Sequence, residues 1–202
     1  MLEERTYKIF QHSIEAKMHA GEILIPDIVE ASQYIVQCLL EEGKLLVCGN
    51  GTSAALAQSL TNNLINRFER ERPSLPAITL GCDLTNITSI AHESSFNEVF
   101  AKEIRALGNS GDMLIIITSN GNTSNLLQAI QAAHERNMNV ITLSGQDGGD
   151  LSSLLSVNDM ELLVPTDSRA RIHEIHLLII FTICDLIDEQ LFGPTDDHVQ
   201  SY

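Results

Sequence analysis

Two short stretches carry side chains whose type and spacing suit ligand binding. Gly49-Asn50-Gly51-Thr52-Ser53 follows the apolar run Leu45-Leu46-Val47 and leads into Ala54-Ala55-Leu56-Ala57. Thr118-Ser119-Asn120-Gly121-Asn122-Thr123-Ser124 follows the apolar run Met113 to Ile117 and leads into a second helical pattern. A strand, a glycine turn and a helix start, in that order, form an anion pocket. Glycine lets the backbone approach a ligand, and the first helical N–H groups point outward unpaired. Thr52 or Ser53 can cap its helix or donate a hydroxyl to a phosphate. The first loop is neither a P-loop, which needs Gly-Lys-Ser/Thr, nor a GxGxxG fingerprint, since Ala54 follows where a third glycine would fall. Either loop alone also fits a tight turn that binds nothing. Two of them, at the ends of two strands of one sheet and without lysine or arginine, point to a phosphate monoester held by neutral donors.

Two histidine groups offer further chemistry. His173 and His176 lie one helical turn apart, close enough to share a metal, while Glu174 between them points to another face. No third ligand is identifiable, so a polar cavity lining and subunit contact is the preferred reading. His92-Glu93 could supply a base, although a surface pair is the simpler assignment.

The elements that must position these groups read as alternating strands and helices. Strands are expected at Leu45–Val47, Ala77–Leu80, Met113–Ile117, Val140–Leu143 and Met160–Val164. Helices are expected from Thr52 to about Phe68, from an Asp83 cap through His92, and over Asn97–Leu107, Asn125–Arg136, Asp150–Leu155 and Ser168–Phe192. Strands apolar on both faces and separated by helices indicate an α/β, flavodoxin-like, three-layer fold with a five-stranded parallel sheet. Ligands in such sheets bind beyond the carboxyl ends of the strands, where the order reverses. Ahead of the first strand, Tyr7, Phe10, Ile14 and Met18 mark one amphipathic helix. Ile28, Ala31, Ile35, Cys38 and Leu39 mark a second, with Pro26 before it and Gly43 after it. This N-terminal helical arm, residues 1–43, is expected to form an oligomer contact or to cap the sheet. Residues 44–192 form the α/β core and 193–202 a polar tail of one domain spanning 1–202. Leu191 and Phe192, at the end of the last helix, either fold back on the core or contact a protein partner.

Composition narrows the classes of function. The chain has 202 residues, 44% hydrophobic and 19% charged, which is globular. A formal net charge of -15 argues against direct contact with nucleic acid or with an anionic membrane. Cys38, Cys48, Cys82 and Cys184 show no ligand spacing and sit in apolar or helical contexts, as buried free thiols of a reducing cytoplasm do. The charged N-terminus lacks a secretory core, and no continuous apolar run approaches the ~18 residues that span a bilayer. A cytoplasmic protein is expected.

The two loops, the segment Asn66-Arg67-Phe68-Glu69-Arg70-Glu71-Arg72-Pro73 with Leu75-Pro76-Ala77-Ile78, and Arg171-Ile172 with Glu174 resemble the SIS (sugar isomerase) family over essentially the whole chain. The resemblance is closest to the branch holding phosphoheptose isomerase and its sister DiaA, which binds the replication initiator DnaA. It implies a homotetramer and a phosphosugar pocket built from Asn50, Gly51, Thr52, Ser53, Thr118, Ser119, Asn120 and Thr123, with His92 and Glu93 near the substrate. In the isomerases a His and a Glu in AQHFAAEL, and a Gln and a His in RIQEVHxLxxH, form the catalytic metal site. Here those positions are Ser59, Asn63, His173 and Phe181. Ser59 and Asn63 are not useful bases near neutral pH, and Phe181 is neither base nor ligand. The resulting expectation is a non-catalytic, DiaA-like phosphosugar-binding regulator that needs no cofactor, binds DnaA and uses Leu191 and Phe192 as its contact. The alternative is a phosphoheptose isomerase, or an isomerase of another phosphosugar, with zinc entering only in that case.

Overall fold

The structure, a computed structural model, describes residues 1–194. Five strands, β1 (Leu45–Gly49), β2 (Ala77–Thr79), β3 (Met113–Ile117), β4 (Asn139–Gly145) and β5 (Met160–Val164), pair in parallel in the order β2-β1-β3-β4-β5. The expected architecture is therefore present. Every residue of β1 and β3 is buried, because helices cover both faces of the sheet. Strand alternation divides the core in two. Leu45, Val47, Met113, Ile115 and Ile117 face one layer of helices, and Leu46, Cys48, Leu114 and Ile116 face the other.

The first layer is built from α1 (Leu2–Leu40), α2 (Thr52–Ile65) and α7 (Arg169–Phe192), and the second includes α4 (Val99–Leu107), α5 (Ser124–Glu135) and α6 (Gly149–Leu154). Between β2 and α4 lie α3 (Leu84–Glu93) and a 3-10 turn, Phe96–Glu98. Asp83 caps α3, its carboxylate accepting from the Thr85 and Asn86 N–H groups.

The N-terminal arm departs from expectation. It is one helix of 39 residues that runs straight through Pro26. Proline removes one backbone donor and ordinarily costs about 3 kcal/mol in a helix interior. Pro26 lies on the exposed side, while Leu24, Ile28, Ala31 and Ile35 on the other side are buried in the core shared with Ile175, Ile179 and Ile183 of α7. That seam outweighs the local break. By length and composition α1 could also cross a membrane, its most apolar window having a mean hydropathy of 1.4, but 39% of that window is buried in the protein.

One smaller expectation is corrected as well. Cys82 is exposed, whereas Cys38, Cys48 and Cys184 are buried free thiols; burial pushes Cys38 up to about 11 and Cys184 up to about 12. Of the two readings offered for Leu191 and Phe192, folding back on the core is the one the structure has. Both pack against the first core layer, and Arg70 pins the helix end by donating to the Phe192 and Gly193 carbonyls at 3.2 and 2.6 Å. The remainder of the tail, from residue 195, lies outside the described residues.

Candidate functional site

Parallel strands deliver their loops to one edge of the sheet. Because the strand after β2 returns to the far side of β1, the order reverses between β1 and β3, and the two glycine loops meet at that reversal. A cavity of about 270 Å³ opens there, lined by Asn50, Ser53, Thr118, Ser119, Asn120, Thr123, Gln146, Arg169 and His173.

Three helix N-termini reach this cavity. Those of α2, α5 and α7 have Gly51, Thr123 and Ser168 as N-cap residues, and none makes a side-chain capping hydrogen bond. The contrast with the capped α3 is informative. At α5 the Ser124 and Asn125 N–H groups, and at α7 those of Arg169, Ala170 and Arg171, remain available to a ligand. At α2, Ser53 and Ala54 already donate to the Asn50 and Gly51 carbonyls, and Thr52 is the donor left. The helix dipoles add partial positive charge. The lining also includes the hydroxyl-bearing residues Ser119 and Thr123 and, from the start of α7, the cationic residue Arg169. This set suits a dianionic phosphate in a protein whose net charge would otherwise repel it.

The loops are held rigidly. Asn50 and Asn125 exchange reciprocal amide hydrogen bonds of 2.9 and 3.0 Å, tying the β1 loop to the first turn of α5. The Thr118 hydroxyl donates to the Asn120 carbonyl at 2.5 Å and accepts from the Asn120 N–H at 3.2 Å, so it shapes the loop from within. Gly49 is required for space: a Cβ there would lie 2.7 Å from the Ile117 carbonyl oxygen and 2.8 Å from the Ser53 Cβ. Gly51 supplies the left-handed turn, at φ +58°.

The structure sorts the candidate residues. Asn50, Ser53, Thr118, Ser119, Asn120 and Thr123 line the cavity together. Gly51 and Thr52 shape the turn beside it without lining it. His92 and Glu93 lie exposed on the last turn of α3, where Glu93 accepts from the Ser89 hydroxyl at 3.3 Å, and they do not reach the cavity of the same chain. Asn125, Gln146 and Arg169 went unread. Asn125 is the first residue after the quoted loop, while Gln146 and Arg169 follow β4 and open α7 and carry no local motif.

Of the four positions at which the resemblance places catalytic groups, His173 alone lines this cavity. Its ring nitrogens are both buried without a hydrogen-bond partner, and burial together with the charge of Arg169 lowers its pKa, so the ring is neutral at pH 7. Phe181 instead packs on Phe68, with ring centroids 5.7 Å apart. Ser59 and Asn63 offer neither imidazole nor carboxylate. His176 is fully buried with Nε2 3.0 Å from the Ser144 carbonyl, and its ring centroid is 6.3 Å from that of His173. These residues do not fit a zinc site, which draws on Cys, His and carboxylate ligands. Among the described residues no group of three such side chains is placed to hold a metal ion.

Burial of His176 sets a pH dependence of stability. Desolvation lowers its pKa to about 4 in the folded protein. The unfolded chain takes up a proton near pH 6.5 and the folded one does not, so the contribution is complete above pH 6.5 and is lost as pH falls towards 4. At pH 5 the expected loss is about 2 kcal/mol. Urea unfolding of the protein and of His176→Gln at pH 7 and pH 5 checks this: the stability gap between them should narrow by that amount, and a constant gap would show that the imidazole is not held neutral.

Comparison with known proteins settles the family. A SIS domain family profile matches residues 10–145. Phosphoheptose isomerase from Chromohalobacter salexigens is 56% identical over 187 residues, covering 93% of this chain and 95% of that one. Phosphoheptose isomerase from Coxiella burnetii is 50% identical over 189 residues, covering 94% and 95%. The structure of a phosphoheptose isomerase from Francisella tularensis superposes with a TM-score of 0.91 at 43% identity, covering 94% of this chain and 99% of that one. Relatives this similar along nearly the whole chain overturn the expectation of a non-catalytic regulator acting on DnaA. The changed residues at Ser59, Asn63 and Phe181 had been read as loss of catalysis, yet they establish only that those particular groups are gone. The chain belongs to the SIS domain family, in its phosphoheptose isomerase branch.

Proposed function

We propose that the protein is a phosphosugar aldose–ketose isomerase acting on sedoheptulose 7-phosphate. The observation that supports this best is the convergence of three uncapped helix N-termini, two neutral-donor loops and Arg169 on one cavity at the sheet's reversal point. Such a cavity grips the phosphate and leaves the far end of the sugar facing the wall that carries His173 and Gln146. The relatives named phosphoheptose isomerase favour a heptose as the sugar. The residues present do not support a resident zinc ion, so no step is assigned to one.

The reading extends to assembly and place. We assign the protein to the cytoplasm as a homotetramer without direct nucleic-acid or membrane contact. The exposed stripe Tyr7, Phe10, Ile14 and Met18 on α1, with 60–71% exposure in the single chain, supplies an apolar face for self-association. Sedimentation of the protein and of Phe10→Glu tests this: the tetramer should dissociate in the variant, and a monomer before substitution would overturn it.

The activity is tested by incubating purified protein with sedoheptulose 7-phosphate and following the aldose product by carbon-13 NMR. Steady appearance of the heptose aldehyde or its hemiacetal supports the proposal. Neither turnover nor calorimetric binding of the sugar phosphate would sink it.

A further inference from the structure

Resting on the isomerase reading, we infer that His173 is the catalytic base that carries the proton between the two sugar carbons, in place of the groups its relatives use. The argument begins with the inventory of the cavity wall. Asn50, Ser53, Thr118, Ser119, Asn120, Thr123 and Gln146 have no useful proton affinity near pH 7, and Arg169 remains a cation. His173 is the remaining lining residue, and imidazole is the side chain whose proton affinity matches neutral pH.

Its surroundings keep it available. A structural histidine satisfies at least one ring nitrogen, as His176 does through the Ser144 carbonyl. His173 satisfies neither, although both nitrogens are buried. An unpaired buried polar group costs about 1–3 kcal/mol, which a fold recovers when a ligand supplies the partner. The neutral ring, held so by burial and by Arg169, is the form that accepts a proton.

The step balances within the sugar. With the phosphate on the helix N-termini, a ring nitrogen of His173 takes a proton from C1 of the ketose. The C1–H electron pair becomes the C1=C2 bond, and the carbonyl pair moves onto O2, which takes a proton from water. The imidazolium then returns its proton to C2 while the O1 proton leaves to water and C1 becomes the aldehyde carbon. C1 is oxidised and C2 reduced, with no external oxidant or reductant. With Arg169 committed to the phosphate, the oxyanion that forms between the steps is left to Gln146, the amide donor on the wall that carries His173.

The test uses the full-length protein and two variants, His173→Ala and His173→Gln, the latter restoring the residue of the isomerase motif and therefore compatible with the fold. Exchange of the C1 proton of sedoheptulose 7-phosphate with deuterium oxide is read by NMR, and binding of the sugar phosphate by calorimetry. The expected result is a loss of about 10²–10⁴-fold in exchange for both variants. Affinity should stay within about threefold, and added imidazole should partly restore exchange in His173→Ala but not in His173→Gln. Exchange retained in both variants overturns the role of His173 and leaves the isomerase reading standing. An unsubstituted protein that shows neither exchange nor formation of the aldose overturns both.

Discussion

Asp188→Ala is expected to lower the stability of the fold by about 3–5 kcal/mol, a penalty typical of leaving a buried charge without its partner. Asp188 lies inside α7 and receives the Arg72 Nε–H at 2.9 Å, with the two side chains only 4% and 1% exposed. Arg72 comes from the segment between α2 and β2 and also donates to the carbonyls of Leu64 and Asn63 at 2.5 and 2.6 Å. It therefore caps the C-terminal end of α2, where a cation meets both orphan carbonyls and the negative end of the helix dipole. Removing the carboxylate strands the guanidinium in the core. For a domain of this size the loss corresponds to a fall in melting temperature of roughly 6–20 °C. Thermal unfolding at fixed protein concentration measures it. The paired change Arg72→Met with Asp188→Leu should recover part of the loss, since an apolar pair can fill the same space without charge. If Asp188→Ala melts within about 2 °C of the parent, the pair contributes no more than a surface contact would.

The second large effect has two readouts of opposite sign. Thr123→Asp should stabilise the fold by about 0.5–1 kcal/mol while weakening phosphosugar binding about 100-fold. Thr123 is the N-cap of α5, has extended backbone angles and makes no capping hydrogen bond. Aspartate there can accept from the free first-turn N–H groups and complements the helix dipole, as Asp83 does at α3. Those same N–H groups are assigned to the phosphate, and a carboxylate about 5 Å from a dianion opposes it by about 2–3 kcal/mol at an effective dielectric near 20, after allowance for solvent screening. Chemical denaturation and calorimetric titration with sedoheptulose 7-phosphate read the two effects on one sample. A stabilised protein with undiminished affinity would mean that the phosphate is not held at α5.

Such opposed signs are what a binding site at a helix terminus produces. Capping α2, α5 and α7 internally would raise stability and close the donors to a ligand, and a site that must bind leaves that stabilisation unused. The reciprocal Asn50–Asn125 pair and the internal Thr118 hydrogen bonds show where rigidity comes from instead. They fix the loops through residues that need not face the phosphate.

What the sequence determined by itself is what short-range pattern carries. The limits of β3 and β5, the Asp83 cap and both strand–glycine–helix loops follow from apolar runs and turn residues within a few positions of each other, and the structure has them there. The strand order was expected only as a class, and the tertiary structure supplied what depends on it. The reversal between β1 and β3, with β4 next in order, brings Gln146 and Arg169, from the ends of two further connections, beside Asn50 and Thr118. No local signal marks either residue, because their neighbours in the site are distant in the chain. The same holds for the ion pair of Arg72 with Asp188, 116 positions apart. At Pro26 local chemistry predicted a break, and an apolar seam running on both sides of it made a single helix. His173 shows the division most clearly. Its type and place in α7 were legible from the sequence, but only packing could leave both ring nitrogens buried, unpaired and in the wall of the phosphate cavity.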